Sequence, residues 1–166
     1  MTNKHLTKYF GEIDLDNVEE CYETEIEVRE RPVEITMNIT GSKTIDSDSI
    51  QAVEDYLDNL TINEEDIRQI INQDFKEKGE AKNYIDFQLD GLDKDDIADL
   101  IEGADKKLNK KEKLLSVLYL LRVGFYPEKE DNSFAVYDYT IEEEYTNDLL
   151  VIIIGKDNNV RLTIES

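Results

Sequence analysis

Apolar and polar residues alternate along the first third of the chain, which is the pattern of strands with one buried face. Over 23–28, glutamates alternate with threonine, isoleucine and valine. The alternation stops at 29–32, where Pro32 has no amide proton for a ladder, and resumes over 33–40. Two such runs around a short break predict an antiparallel hairpin. A further short strand is expected over 9–13.

Helical spacing replaces the alternation in the middle of the chain. Apolar residues recur every three or four positions over 50–60, and Asp46 or Ser47 can cap the first turn of this helix. A second helix is predicted to open at Thr61–Glu64, which has the spacing of a capping box, and to stop near Gly79.

Two more helices are expected before the chain returns to strands. A short one should follow Asp93 as its cap, and a longer one should begin at Asn109, with Glu112 three residues on. The longer helix carries an almost continuous apolar run from Leu114 to Leu121. We therefore expect it to be buried between the sheet and the other helices.

The last third of the chain predicts a second hairpin. A strand is expected over 133–140, followed by the continuous apolar run 149–154, which is typical of a central strand covered on both faces. The Gly- and Asn-rich segment 155–159 is a strong turn signal, and alternation resumes over 160–165.

The order of elements predicts an α+β fold. Its antiparallel sheet would be built from the N-terminal and C-terminal hairpins and packed against a central group of about four helices. Residues 1–166 are expected to form a single domain, with N-terminal strands in 1–45, a helical middle in 46–123 and C-terminal strands in 124–166.

The net charge of the chain limits which classes of molecule it is expected to bind. The chain has 40 Asp and Glu residues against 19 Lys and Arg residues, a net charge of -21. Nucleic acids and anionic membranes repel such a polyanion, so the expected partner, if charged, is a basic protein. The one cysteine and the absence of an apolar leader predict a cytoplasmic protein, and the Lys-, Asn-, Ile- and Glu-rich composition favours a bacterial source.

Catalytic and metal signatures are weak. His5 has no second histidine to work with and is interpreted as a solvated tail residue, and Cys21 as a half-buried packing residue whose acidic neighbours raise the thiol pKa. Segment 86–97 has a glycine in the sixth place of an EF-hand-like loop, but Gln88 and Ile97 occupy positions that need oxygen ligands. No cofactor, metal site or catalytic residue is predicted, and the basic run 106–113 is interpreted as local counter-charge.

The most specific candidate site is acidic. We expect one face of the first hairpin to carry four carboxylates, and Asp55 and Asp58 lie in a second acidic stretch, 46–66, that contains no Lys or Arg. A single surface formed by both stretches would favour a basic partner, whereas separate surfaces would favour a role in solubility. The predicted partner-binding residues are Glu23, Glu25, Glu27, Glu34, Asp55 and Asp58.

A set of segments at the two ends of the chain is distinctive, namely 9–14, the acidic hairpin to 39, 124–127, 137–141 and 149–166. In these segments the chain resembles a bacterial family of unassigned function, domain of unknown function two thousand and four. The resemblance implies a small α+β domain and brings no catalytic residues. Asp138, between two tyrosines, is expected to bond backbone donors.

Three functions stay open at this point. The charge excess and the lack of catalytic motifs favour a non-enzymatic interaction module, in its most concrete form an immunity-type protein that neutralises a basic toxin. The alternatives are a carboxylate-based hydrolase or metal-dependent enzyme and a self-associating structural or regulatory module. A carboxylate enzyme needs a pocket where carboxylates converge. Whether the protein has a small-molecule ligand is left open.

Overall fold

A computed structural model describes residues 3–128 and 133–166 of the chain. In chain order, its elements are β1 (Lys4–Leu6), β2 (Glu12–Asp14), β3 (Cys21–Val28), β4 (Arg31–Asn38), α1 (Ser47–Asp58), α2 (Leu60–Lys76), α3 (Glu80–Gly91), α4 (Lys94–Ile101), α5 (Lys110–Ser116), β5 (Tyr119–Phe125), β6 (Ala135–Thr140), β7 (Leu149–Ile154) and β8 (Val160–Glu165). In this part of the chain, no helix is long and apolar enough to cross a membrane.

The α+β class is confirmed, but the prediction of a wholly antiparallel sheet is wrong. The main sheet has six strands in the order β3-β4-β5-β6-β7-β8, and β4 pairs with β5 in parallel while its other neighbours are antiparallel. Parallel neighbours need a long crossover connection. The helices α1 to α5 provide that connection, since they all lie between β4 and β5 in sequence. A separate two-stranded sheet pairs β1 with β2, so the single short strand expected over 9–13 is replaced by strands on either side of a turn.

The leucine-rich run 114–121 does not form one helix. Helix α5 ends at Ser116, and β5 begins three residues later at Tyr119. A continuous apolar run cannot by itself distinguish a buried helix from a central strand. The β-branched and aromatic residues Val123 and Phe125 follow it, and they favour a strand.

Five helices form in the described residues rather than about four, because α3 was not expected. Its buried residues are Ala81, Tyr84, Ile85 and Gln88, which follow helical spacing. Because Ala81 is small and Gln88 is polar, the sequence of α3 does not show a recognisable apolar stripe.

Caps fix the starts of two predicted helices. Asp46 accepts a hydrogen bond from the Ser49 amide at 2.7 Å at the start of α1. Asn109 and Glu112 form the predicted capping box of α5. The predicted second hairpin also forms, with Asn158 at a φ of 65° in its turn, a conformation that asparagine tolerates better than most residues.

The helices α1 and α2 pack on one face of the main sheet. Tyr56 of α1 makes edge contacts with Phe125 and shares a 2.6 Å hydrogen bond with the Tyr137 hydroxyl. Phe125 lies opposite Met37, and partner residues in adjacent strands project to the same side. Since side chains alternate along a strand, Glu34 of β4 projects to the opposite face.

Candidate functional site

The first hairpin presents the four predicted carboxylates on one face, as expected. Glu23, Glu25 and Glu27 alternate along β3 with the more buried Thr24, Ile26 and Val28, and Glu34 lies on β4. All four are exposed. They are called the hairpin glutamates below.

The hairpin glutamates lie on neighbouring positions and form no ion pair among the described residues. Glu25 is directly opposite Glu34 in the antiparallel register. Within the described residues, none of the hairpin glutamates has a Lys, Arg or His nitrogen within 4.0 Å. Directly opposed like charges on a sheet destabilise it.

Arg122 borders the hairpin glutamates on the next strand. It is the register partner of Glu34 on β5, but its guanidinium donates two hydrogen bonds to Asp138 Oδ2 on β6, at 2.8 and 2.5 Å. Asp138 therefore bonds a side chain and not the expected backbone donors. Burial raises the pKa of Asp138 although Arg122 opposes the shift.

Asp55 and Asp58 do not join the hairpin glutamates. Both are exposed on α1, which packs on the other face of the sheet. Asp58 accepts hydrogen bonds from Lys8 Nζ at 2.7 Å and Tyr9 at 2.6 Å, and these contacts lower its pKa. Asp55 and Asp58 therefore lie on a different surface from the hairpin glutamates.

Cys21 is half-buried, as predicted, and His5 is not a solvated tail residue. Burial, with Glu23 and Glu34 nearby, raises the pKa of the Cys21 thiol. His5 lies in β1 with its side chain 25% exposed and its Nε2 3.7 Å from an oxygen of the buried Glu54.

A basic cleft lies at the turn of the same hairpin, and the sequence did not reveal it. It has a volume of about 840 Å³ and is lined by Arg29, Arg31, Arg68 and Lys76, with the carboxylates of Glu112 and Glu142. The chain has five arginines, and three of them line this cleft. We call it the arginine cleft. The two arginines within the break of the first hairpin, Arg29 and Arg31, were the available signal.

A buried carboxylate holds two of these arginines. Glu64 is fully buried and accepts a hydrogen bond from Arg29 Nε at 2.6 Å and from the Tyr139 hydroxyl at 3.0 Å. Arg68 Nε lies 3.6 Å from Glu64 and donates from Nη1 to the Leu118 carbonyl at 2.7 Å. The predicted Thr61–Glu64 capping box is thus wrong: α2 begins at Leu60, and Glu64 points into the protein.

The remaining two cations of the cleft, Arg31 and Lys76, form no ion pair with the described residues. The Arg31 guanidinium lies 4.0 Å from the centre of the Tyr119 ring. Among the described residues, neither Arg31 nor Lys76 has an acidic oxygen within 4.0 Å. The apolar part of the cleft comes from helices and strand ends and includes Phe75, Leu100, Leu115 and Ile141.

Outside the arginine cleft, the described acidic side chains do not form a carboxylate or metal site. A second cavity of about 530 Å³ includes Asp46 and Asp48, but Asp46 caps α1. In residues 3–128 and 133–166, no group of three or more His, Cys, Asp or Glu side chains could hold a metal ion. In the basic run 106–113, Lys111 pairs with Asp86 at 2.6 Å and so provides local counter-charge.

No family model, curated protein or solved structure matched the chain in the three comparisons. The resemblance to the bacterial family of unassigned function stays a prediction.

Proposed function

We propose that this protein is a non-enzymatic interaction protein that binds a basic protein through the hairpin glutamates. The observation that carries the proposal is the pairing of Glu25 with Glu34 on an exposed face where no described Lys, Arg or His nitrogen lies within 4.0 Å of either carboxylate. Opposed carboxylates cost about 0.2–1 kcal/mol of stability. A basic partner would relieve this repulsion in the complex.

The separation of Asp55 and Asp58 from the hairpin glutamates reduces the surface we assign to the partner. Asp58 already bonds Lys8 and Tyr9, so it has less to offer a new cation than Glu25 has. Solubility is a sufficient explanation for scattered exposed carboxylates such as Asp55. It does not require four like charges at neighbouring positions of one hairpin.

Electrostatic complementarity of this kind speeds encounter and suppresses wrong partners. The most concrete form of the proposal is an immunity-type protein in the bacterial cytoplasm that neutralises a basic toxin by covering its nucleic-acid site. The single cysteine fits that reducing compartment.

Affinity capture from an extract of the native host tests the proposal. The tagged protein should retain a basic protein at low salt and lose it progressively as salt rises, because ions screen exposed charges. Capture of no basic protein at low or moderate salt would contradict the proposal.

A further inference from the structure

We infer that the arginine cleft is a binding site for a small amphipathic carboxylate. This site is separate from the hairpin glutamates and does not depend on the function proposed for them. Its volume of about 840 Å³ is within the range of about 300–1,000 Å³ that small-molecule sites occupy.

The lining has the two parts that such a ligand needs. Arg31 and Lys76 supply positive charge without an ion-pair partner among the described residues. Phe75, Leu100 and Leu108, all partly exposed, supply apolar surface in the same cleft. An apolar body would displace water from that surface, while the planar guanidinium of Arg31 matches a carboxylate in geometry.

The Glu64 network holds the wall of the cleft that carries Arg29 and Arg68 in place. Glu64 binds Arg29 directly, and Arg68 is fixed by the Leu118 carbonyl. Two guanidinium groups share this one buried carboxylate, so the wall keeps an excess of positive charge. Such a preorganised wall needs little reordering when a ligand binds.

The net charge of -21 does not prevent an anion from binding here. At physiological ionic strength the Debye length is about 8 Å, so remote exposed carboxylates are largely screened from the cleft. The carboxylates that line the cleft are Glu112, which caps α5, and Glu142, whose oxygen lies 3.5 Å from the Tyr119 hydroxyl. Glu64 and Glu65 act on Arg29 beside it. These carboxylates oppose a second negative charge and so favour a monoanion.

The turn of the hairpin carries Arg29 and Arg31 into the cleft at a conformational cost. Arg29 and Glu30 have φ angles of 52° and 65°. This left-handed conformation costs roughly 1–2 kcal/mol per non-glycine residue. The ion pair of Arg29 with Glu64 offsets part of the cost and fixes the direction of Arg29.

Titration calorimetry with defined probes tests the inference. Decanoate offers a flexible body and 2-naphthoate a planar one, and decanol and 2-naphthamide are their neutral counterparts. We expect saturable binding of at least one carboxylate, and we expect its neutral counterpart to bind at least roughly tenfold more weakly. Binding of the carboxylate should also weaken at high salt. Absence of saturable binding by both carboxylates, or equal binding of the neutral counterpart, would overturn the inference.

Three single variants locate the site. Arg31→Gln and Lys76→Gln should each weaken carboxylate binding roughly tenfold. Arg161→Gln on β8 is the matched control, because Arg161 is exposed and does not line the cleft, and it should bind as the wild type does. Thermal unfolding confirms that each variant is folded. Unchanged binding in both cleft variants would place the ligand elsewhere and overturn the inference.

Discussion

The buried carboxylate of Glu64 accepts a 2.6 Å hydrogen bond from the Nε of Arg29, 35 residues earlier in the chain. This ion pair joins the turn of the first hairpin to α2. It also determines which way Arg29 points into the arginine cleft. The contact therefore links the stability of the fold to the shape of a candidate site.

Removing this carboxylate should be costly. Glu64→Ala leaves the fully buried Tyr139 hydroxyl and the partly exposed Arg29 guanidinium without their acceptor. It also removes the carboxylate nearest to Arg68. We expect a loss of about 1–3 kcal/mol in the free energy of unfolding, measured by urea denaturation. Glu65→Ala, at the exposed neighbouring position, should change it by less than about 0.5 kcal/mol. Similar losses in both variants would contradict the role assigned to Glu64.

The strained turn predicts a stabilising substitution. Glu30 has a φ of 65° and is exposed, and its side chain forms no hydrogen bond or ion pair with the described residues that glycine would lose. Relief of the left-handed conformation, roughly 1–2 kcal/mol, exceeds the added entropy of a more flexible unfolded chain, about 0.4–1 kcal/mol. Glu30→Gly should therefore stabilise the protein, whereas Glu27→Gly within β3 should destabilise it by about 0.5–1 kcal/mol. Denaturation midpoints that move in the same direction would contradict the assigned strain.

Repulsion between Glu25 and Glu34 should be measurable directly. A double-mutant cycle with Glu25→Gln and Glu34→Gln isolates their coupling, because each variant removes one charge from the opposed pair. We expect a repulsive coupling of about 0.2–1 kcal/mol at low salt that diminishes at high salt. A coupling of zero at low salt would mean that the pair has no stability cost for a partner to relieve.

Alkaline pH should unfold the protein through its buried tyrosines. Burial raises the pKa of Tyr84 from 10.0 to about 12, and burial also raises the pKa of Tyr137 and Tyr139. Between pH 10.0 and about 12, Tyr84 loses its proton in the unfolded chain and keeps it in the folded protein. The stability from Tyr84 is therefore fully present below pH 10.0 and is lost as pH rises towards about 12.

Urea unfolding at several alkaline pH values measures this effect. The slope of stability against pH should be less steep in Tyr84→Phe, by up to about 1.4 kcal/mol per pH unit. Tyrosinate absorbance should show a cooperative late rise on unfolding. Equal slopes in wild type and variant would show that Tyr84 does not keep its proton in this range.

Local sequence patterns predicted the hairpins and most helices, because the spacing of apolar residues and the capping residues depend on only a few neighbouring positions. The alternating glutamates of β3 were placed on the correct face, and the Asn109–Glu112 box was identified. Helix α3 was missed because Gln88 interrupts its apolar stripe, although Gln88 is buried and donates to Asp148 at 3.1 Å. That contact spans 60 residues and leaves no local signal.

The arginine cleft was missed for the same reason. Glu64 has the spacing of a capping residue, and only the fold brings it to Arg29 and Tyr139. The parallel pairing of β4 with β5 is likewise set by the long helical connection and not by either strand's own pattern. The position of Asp58 relative to the hairpin glutamates also follows from the layer that α1 occupies.

Capture by three baits in parallel tests the central claim most directly. The first is the wild type. The second replaces all four hairpin glutamates with glutamine, and the third makes the same change at four exposed glutamates outside the hairpin. The control positions are Glu102, Glu143, Glu144 and Glu165.

Both variants lose the same net charge, so a difference between them reports position alone. We predict that a basic protein from the native host is retained by the wild type and the control bait and is lost from the hairpin bait. Equal retention by the hairpin and control baits would contradict the claim that the hairpin glutamates form the binding surface.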